Sequence, residues 1–227
     1  MLQTELIEKI GNVEVRDFGH FRGMFIDGAL QGYSNHKTPS IPESNYIRCM
    51  TYAYDIHPTA KKVLMIGLGC GFLHSVAPKG LEFDIVETDF DVLGVAHEHF
   101  GFATGCTGYT MHLNLRDFKH NKYDIIFLDA FNGYTGAEEY YTVEGIIRLF
   151  NILTPGGVLC CNIVSELGGK DDLWRRLSRH RDEDYLACKV SGPFVNVVSF
   201  KTHRNSDYAK IGMFSEEKKL MLQNLLG

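Results

Sequence analysis

The run Lys62-Val63-Leu64-Met65-Ile66 breaks abruptly into Gly67-Leu68-Gly69-Cys70-Gly71-Phe72, and this junction restricts the fold more than any other stretch of the chain. Five residues rich in Val, Leu and Ile read as a buried strand. Three glycines at alternate positions then let the backbone enter conformations closed to other residues and leave it bare for a ligand to approach. Twenty residues beyond Gly67 a second apolar run, Phe83-Asp84-Ile85-Val86, ends on Glu87. A glycine turn after one strand and an acid at the tip of the next is the layout of a nucleoside site, with the carboxylate accepting from ribose hydroxyls.

Strands and helices alternate from residue 61 onward. Apolar runs predict strands at 62–67, 83–87, 110–114, 123–129, 157–164, 184–190 and 195–202, with helices at 71–77, 91–100, 142–153, 170–180 and 215–225. Asp91, Thr142 and Ser215 are the expected helix caps. Val92, Val95, Ala96 and Phe100 fall on one apolar stripe, as do Ile146, Ile147, Leu149, Phe150 and Leu153. Leu153-Thr154-Pro155-Gly156-Gly157 reads as a stop and a turn. This order predicts an α/β fold with a seven-stranded, mostly parallel sheet, and ligands at the carboxyl ends of its strands. The sixth position of the glycine motif is Phe72, so the spacing is G-x-G-x-G and not the dinucleotide G-x-G-x-x-G. That spacing is typical of class I enzymes using S-adenosylmethionine (SAM) on a Rossmann-like fold. Ahead of this, short apolar runs separated by Gly11-Asn12, Gly19 and Asp27-Gly28 predict a small β-hairpin subdomain and loop over 1–44. Residues 32–44, with Pro39 and Pro42, read as loop, and 45–54 as a helix opening the domain 45–227.

Composition excludes several alternatives. A net charge of −5 over 227 residues argues against nucleic acid as a partner. No apolar run reaches the roughly 18–20 residues needed to cross a bilayer. The first residues lack a basic region followed by an apolar one, so a signal peptide is not expected. The six cysteines form no C-x-x-C pair, and Cys160-Cys161 lies inside an apolar run. They read as reduced thiols of a cytoplasmic protein. His97-Glu98-His99 lies on a predicted helix, where positions i and i+2 diverge, so it reads as a solvated face and no metal is expected.

Two further acids sit at the ligand rim. Asp129 ends the buried run Tyr123-Asp124-Ile125-Ile126-Phe127-Leu128, where it would serve as a general base, hold a cationic group, or simply cap a turn. Asp117, followed by Phe118, would accept from an adenine amine, or be an exposed turn acid.

Taken in order, these segments resemble the spermidine synthase family, and in particular its spermidine-synthase-like branch. Met24-Phe25-Ile26-Asp27-Gly28-Ala29-Leu30-Gln31 is similar to that family's Asp-Gly-x-x-Gln segment, and Tyr46-Ile47-Arg48-Cys49-Met50 to its Tyr-bearing helix. Gly67 to Gly71 is similar to its cofactor loop, Val86-Glu87-Thr88-Asp89 to its ribose-binding strand end, and Arg116-Asp117-Phe118 to its adenine-binding segment. The strand ending in Asp129 is similar to the one that carries the family's catalytic acid. The resemblance implies aminopropyl transfer from decarboxylated SAM to an amine, with Asp129 as base and no metal. It implies cofactor contacts from Gly67, Gly69, Cys70, Gly71, Glu87, Thr88, Asp117, Phe118 and Gln31, and contacts to a small amine acceptor from Asn132, Tyr46 and Tyr134. A homodimer is its implied assembly.

Two departures from the family pattern bear on chemistry. The loop position that holds an aspartate for the cofactor's aminopropyl ammonium is Cys70. The Asp-Ser-Ser-Asp pair that grips a diamine is Asp129-Ala130-Phe131-Asn132. Loss of one charged hydrogen bond costs about 1.5–3 kcal/mol, or roughly ten- to a hundredfold in affinity. A methyltransferase using ordinary SAM, and a SAM-binding protein without chemistry, are the alternatives these departures raise.

Overall fold

The computed structural model describes residues 4–103, 109–112, 122–132, 135–137, 139–164, 185–190 and 196–202. The predicted helices at 170–180 and 215–225, and the segment 114–118, lie outside the described residues.

Five strands open the chain: β1 (Glu5–Ile10), β2 (Val13–Phe18), β3 (Phe21–Ile26), β4 (Ala29–Asn35) and β5 (Thr38–Pro42). They form an antiparallel sheet in sequence order. Asp27 and Gly28 both take positive φ, 49° and 78°, as a two-residue turn matched to the twist of a hairpin requires. The expected loop over 32–44 is corrected here, because β4 runs through Gly32 and β5 contains both prolines. β5 is the sheet's edge, where a missing N–H costs no ladder bond.

The expected single helix at 45–54 is two, α1 (Asn45–Met50) and α2 (Tyr52–Ile56). Thr51 lies at the break, with its hydroxyl donating to the Arg48 carbonyl at 2.7 Å. Such local bonding competes with helix continuation.

The remaining elements alternate: β6 (Lys62–Ile66), α3 (Phe72–Ser75), β7 (Glu82–Val86), α4 (Phe90–Phe100), β8 (Tyr109–His112) and β9 (Tyr123–Leu128). The short pair β10 (Phe131–Asn132) and β11 (Thr135–Gly136) follows, then α5 (Val143–Asn151), β12 (Leu153–Val164), β13 (Tyr185–Val190) and β14 (Asn196–Thr202). Strands β12, β9, β6, β7 and β8 lie parallel in that order. Beyond β12, β14 runs antiparallel and pairs with β13. The expected turn at 153–157 is absorbed into β12 as a break in register between Leu153 and Val158.

Alternate residues of the central strands face opposite sides. Val63, Met65, Ile125 and Phe127 pack with α1 to α4, whereas Leu64, Ile66, Ile126 and Leu128 pack with α5. The first cluster also contains Val13, Val15, Met24 and Ile26, so the N-terminal sheet shares one core with the parallel sheet. Each such buried side chain contributes about 1.5–3 kcal/mol of transfer free energy.

Helix details also correct the sequence reading. The cap of α4 is Asp89, accepting from the Asp91 amide, rather than Asp91 itself. Thr142 caps α5 as expected, accepting from Gly145 N. Ile147 is 43% exposed and leaves the predicted inward stripe, because successive helix positions rotate by about 100° and Ile146 already takes the core side. His97 and Glu98 are exposed, but His99 is not part of a solvated face. Its Nε2 meets the Glu8 carboxylate at 2.5 Å and Arg22 contacts its Nδ1 at 3.3 Å, tying α4 to β1 and β3.

Candidate active site

Strand ends build the site. The Gly67 amide donates to the Val86 carbonyl and the Asp129 amide to the Ile66 carbonyl, both at 2.9 Å, so the tips of β6, β7 and β9 are held side by side. Gly67 has φ of 87°, and a Cβ there would lie 2.2 Å from the Asp129 carbonyl oxygen. Only glycine fits where these two tips touch. Gly69 also has positive φ, 51°, but open space around it. Gly71 turns the chain into α3 and packs on the Phe102 ring.

A cavity of about 550 Å³ opens over these tips. The glycine loop, the end of β7, the end of β9, Ala137, Glu139 and Tyr140, β4 and α1 enclose it. Of the expected site residues, Gly67, Gly69, Cys70, Glu87, Thr88, Gln31, Tyr46 and Asp129 all line it. Gly71 does not, since it is spent on the turn. Asn132 lies in β10 next to the site. Asp117, Phe118 and Tyr134 lie outside the described residues.

The carboxylate of Glu87 is organised by backbone. One oxygen accepts from Leu68 N at 3.0 Å, and the other from Thr88 N and Asp89 N at 2.7 and 2.9 Å. Burial nevertheless raises its pKa above the usual carboxylate value, against the pull of these three amides. A carboxylate offers about four acceptor positions, so capacity for a ligand hydroxyl remains.

Asp129 sits half-buried at the tip of β9. Asn162 Nδ2 donates to its Oδ1 at 2.8 Å. The Tyr46 hydroxyl donates to the Gln31 carbonyl at 2.7 Å and stands within hydrogen-bonding reach of Asp129. Burial pushes the Asp129 carboxyl up to about 6, although the bonds from Asn162 and Tyr46 work in the opposite direction. Burial, followed by the nearby Asp129 charge, pushes the Tyr46 and Tyr141 hydroxyls well up, so both are proton donors at neutral pH. A carboxyl near 6 is mostly ionised at pH 7 yet basic enough to take a proton.

Cys70 is 4% exposed, with its Sγ against Gly32 in the seam between the glycine loop and β4. Burial raises its pKa far above the ordinary thiol value, so it contributes no charge.

Two site residues escaped the sequence reading. Asn162 is 2% exposed, and its Oδ1 is buried without a hydrogen-bond partner. Cys161 pairs with Leu128, which places Asn162 beside Asp129. An amide in the otherwise apolar run Val158-Leu159-Cys160-Cys161-Asn162-Ile163 was the available signal. Glu139 lines the cavity from the turn after β11, and no sequence pattern distinguishes it from a surface acid.

Charge is unevenly distributed around the cavity. Glu87, Asp89, Asp129 and Glu139 line it, and no Lys, Arg or His does among the described residues. Such a cavity attracts cations and leaves an anionic group without a partner.

Comparison with known proteins places this geometry in context. No protein-family model matches the chain. It is 32% identical over 129 residues to a polyamine aminopropyltransferase of Vibrio vulnificus, a match covering 53% of this chain and 43% of that protein. A polyamine aminopropyltransferase of Streptococcus pneumoniae is 29% identical over 151 residues, covering 62% and 48% respectively. The chain thus spans about half the length of the curated relatives it matches. A probable spermidine synthase from Corynebacterium glutamicum superposes with a TM-score of 0.68 at 16% identity, covering 93% of this chain and 86% of that one. Spermidine synthase from Thermotoga maritima gives 0.67 at 18% identity, covering 96% and 78%. Human methyltransferase-like protein 13, in complex with SAH, gives 0.56 at 20% identity, covering 80% and 91%. The chain is therefore similar in sequence to polyamine aminopropyltransferases, and it has the α/β fold that spermidine synthases share with SAM-type methyltransferases.

Proposed function

We propose that the protein is an aminopropyltransferase that takes decarboxylated SAM and a small amine. The observation that carries this reading is the charge of the cavity, which has four lining carboxylates and no lining cation among the described residues. Decarboxylated SAM brings a sulfonium and an ammonium. Ordinary SAM adds a carboxylate that would have to give up water without finding a positive partner. The curated relatives' name and the resemblance of the glycine loop, Glu87 and Asp129 to the family's segments support the same reading.

In this reading Glu87 accepts from the ribose hydroxyls and the backbone at Gly67 and Gly69 borders the nucleoside. Asp117 and Phe118 take the adenine. Gln31 and Thr88 complete the cofactor contacts, while Tyr46, Asn132 and Tyr134 border the acceptor. The acceptor arrives as an ammonium and gives a proton to the Asp129 carboxylate. Its freed nitrogen lone pair attacks the carbon next to the sulfonium. A C–N bond forms, the C–S bond breaks, and the electron pair stays on sulfur, releasing methylthioadenosine. No charge-stabilising device beyond positioning and one base is required. Asn162 fixes one oxygen of Asp129, which leaves the other for the nucleophile.

A second reading, methyl transfer from SAM, draws on Cys70, whose neutral thiol offers no repulsion to a carboxylate at the cofactor tail. The two readings separate on product. Incubation with decarboxylated SAM and an alkyl diamine should release methylthioadenosine in step with a new secondary amine, and Asp129→Asn should abolish that release. Absence of release with every amine tried, together with SAH formation from SAM, would replace the first reading by the second. A homodimer in a cytoplasmic setting belongs to the first reading, and the buried cysteines Cys49, Cys70, Cys160 and Cys161 suit a reducing compartment.

A further inference from the structure

The cavity has a fourth acid whose placement the reaction itself leaves unexplained. Asp129 stands at the reacting centre, and Glu87 and Asp89 stand at the end of β7 on the nucleoside side. Glu139 lines the same cavity from the turn that follows β11.

This turn is fixed on both flanks. Ala137 N donates to the carbonyl of Ala130, the residue next to Asp129, at 3.0 Å, and Tyr140 N donates to Ala137 O at 3.0 Å. From the other side Arg148 Nη2 donates to the Glu139 carbonyl at 2.9 Å. Helix α5 presses directly on the turn: a Cβ at Gly145 would lie 2.6 Å from the carbonyl oxygens of both Glu139 and Tyr140. The backbone of Glu139 is thus held while its carboxylate remains exposed at the cavity edge. The Tyr140 hydroxyl, on a side chain only 7% exposed, donates to that carboxylate and aims it. Arg148 donates to the backbone carbonyl of Glu139, and no ion pair to the Glu139 carboxylate occurs among the described residues.

From this geometry we infer that Glu139 is a specificity residue of the acceptor half of the cavity, binding the far ammonium of an α,ω-diamine whose near nitrogen lies at Asp129. The inference rests on the proposed aminopropyl transfer. An acid at the reacting centre holds one end of the acceptor. A second acid, anchored through Ala130 to the same strand tip, holds the other end at a set separation. Position 132, a carboxamide, supplies no charge for that end. The acceptor is therefore recognised by two charges and the length between them.

The test uses the full chain with methylthioadenosine present to fill the nucleoside half. Calorimetry measures affinity for α,ω-diamines of three to six carbons and for n-alkylamines of matched length. Wild-type protein should prefer one diamine length, and prefer it over its monoamine by roughly two- to fivefold, the range of a partly exposed ion pair. In Glu139→Gln the diamine-to-monoamine ratio should collapse toward one, and in Glu139→Asp the preferred diamine should be longer by about one methylene. During turnover the loss should fall on KM for the diamine more than on kcat. A diamine preference that persists in Glu139→Gln, or a wild-type protein that does not distinguish the two amines, overturns the inference. Failure to release methylthioadenosine from decarboxylated SAM sinks the functional reading by a separate readout, since the binding comparison needs no turnover.

Discussion

Replacing Asp129 by Asn should make the protein more stable at neutral pH while removing its activity. In the folded protein burial raises the Asp129 carboxyl to about 6, against an ordinary value of 3.8. The folded state therefore holds this proton more tightly than the unfolded chain does. The stability contributed by that proton is fully present below about pH 4 and is lost as pH rises through 6. A difference of roughly two pKa units corresponds to about 3 kcal/mol at pH 7 and above. Asn is nearly isosteric and keeps an oxygen for the Asn162 Nδ2 bond, so the variant escapes the cost of burying a charge without losing the contact. Solvent at the cavity mouth reduces the gain, and about 1–3 kcal/mol is expected. For a chain of this size that is roughly 2–4 °C in Tm for each kcal/mol. Urea unfolding of both proteins at pH 7.5 and pH 4.5 measures it. The variant should lead at pH 7.5, and the gap should narrow at pH 4.5. A variant equal to or weaker than wild type at pH 7.5 would refute the claim that burial, rather than its partners, dominates the Asp129 environment.

Other outcomes follow from the same geometry. The kcat/KM profile should rise about tenfold per pH unit up to about pH 6 and then flatten, because the free enzyme's base must be ionised. Asn162→Leu removes the donor on Asp129 Oδ1, so the rising limb should move to higher pH by about one unit, read from the same profile. Gly67→Ala and Gly69→Ala should separate folding from binding. The first drives a methyl into the Asp129 carbonyl and should cost more than about 3 kcal/mol in chemical denaturation. The second costs only about 1 kcal/mol of backbone strain, yet places a methyl in the cavity and should weaken nucleoside binding about tenfold or more by calorimetry.

Much of this arrangement was legible in the sequence because strand tips are written locally. The runs ending at Gly67, Glu87 and Asp129 each carry their own apolar pattern and their own terminator, and the parallel sheet brings all three tips to one rim. The loop reading at 32–44 failed because Pro39 and Pro42 are breakers by local chemistry. Edge position, a property of the whole sheet, makes them tolerable in β5. Ile147 was misplaced because a run of apolar residues does not say which of two neighbours faces the core. His99 looked like a surface residue until β1 supplied Glu8 from 91 positions away. Asn162 and Glu139 reach the cavity through register and a packed turn, relations between distant segments that no local pattern carries. Cys70, by contrast, stood out in the sequence, and its burial against Gly32 gives the physical reason it brings no charge to the site.

Calorimetric titration of the purified chain with decarboxylated SAM and with SAM tests the central claim most directly. The acidic lining, which has no cation among the described residues, predicts micromolar or tighter binding of the decarboxylated form and at least tenfold weaker binding of SAM. Equal affinity, tighter binding of SAM, or binding of neither would contradict it.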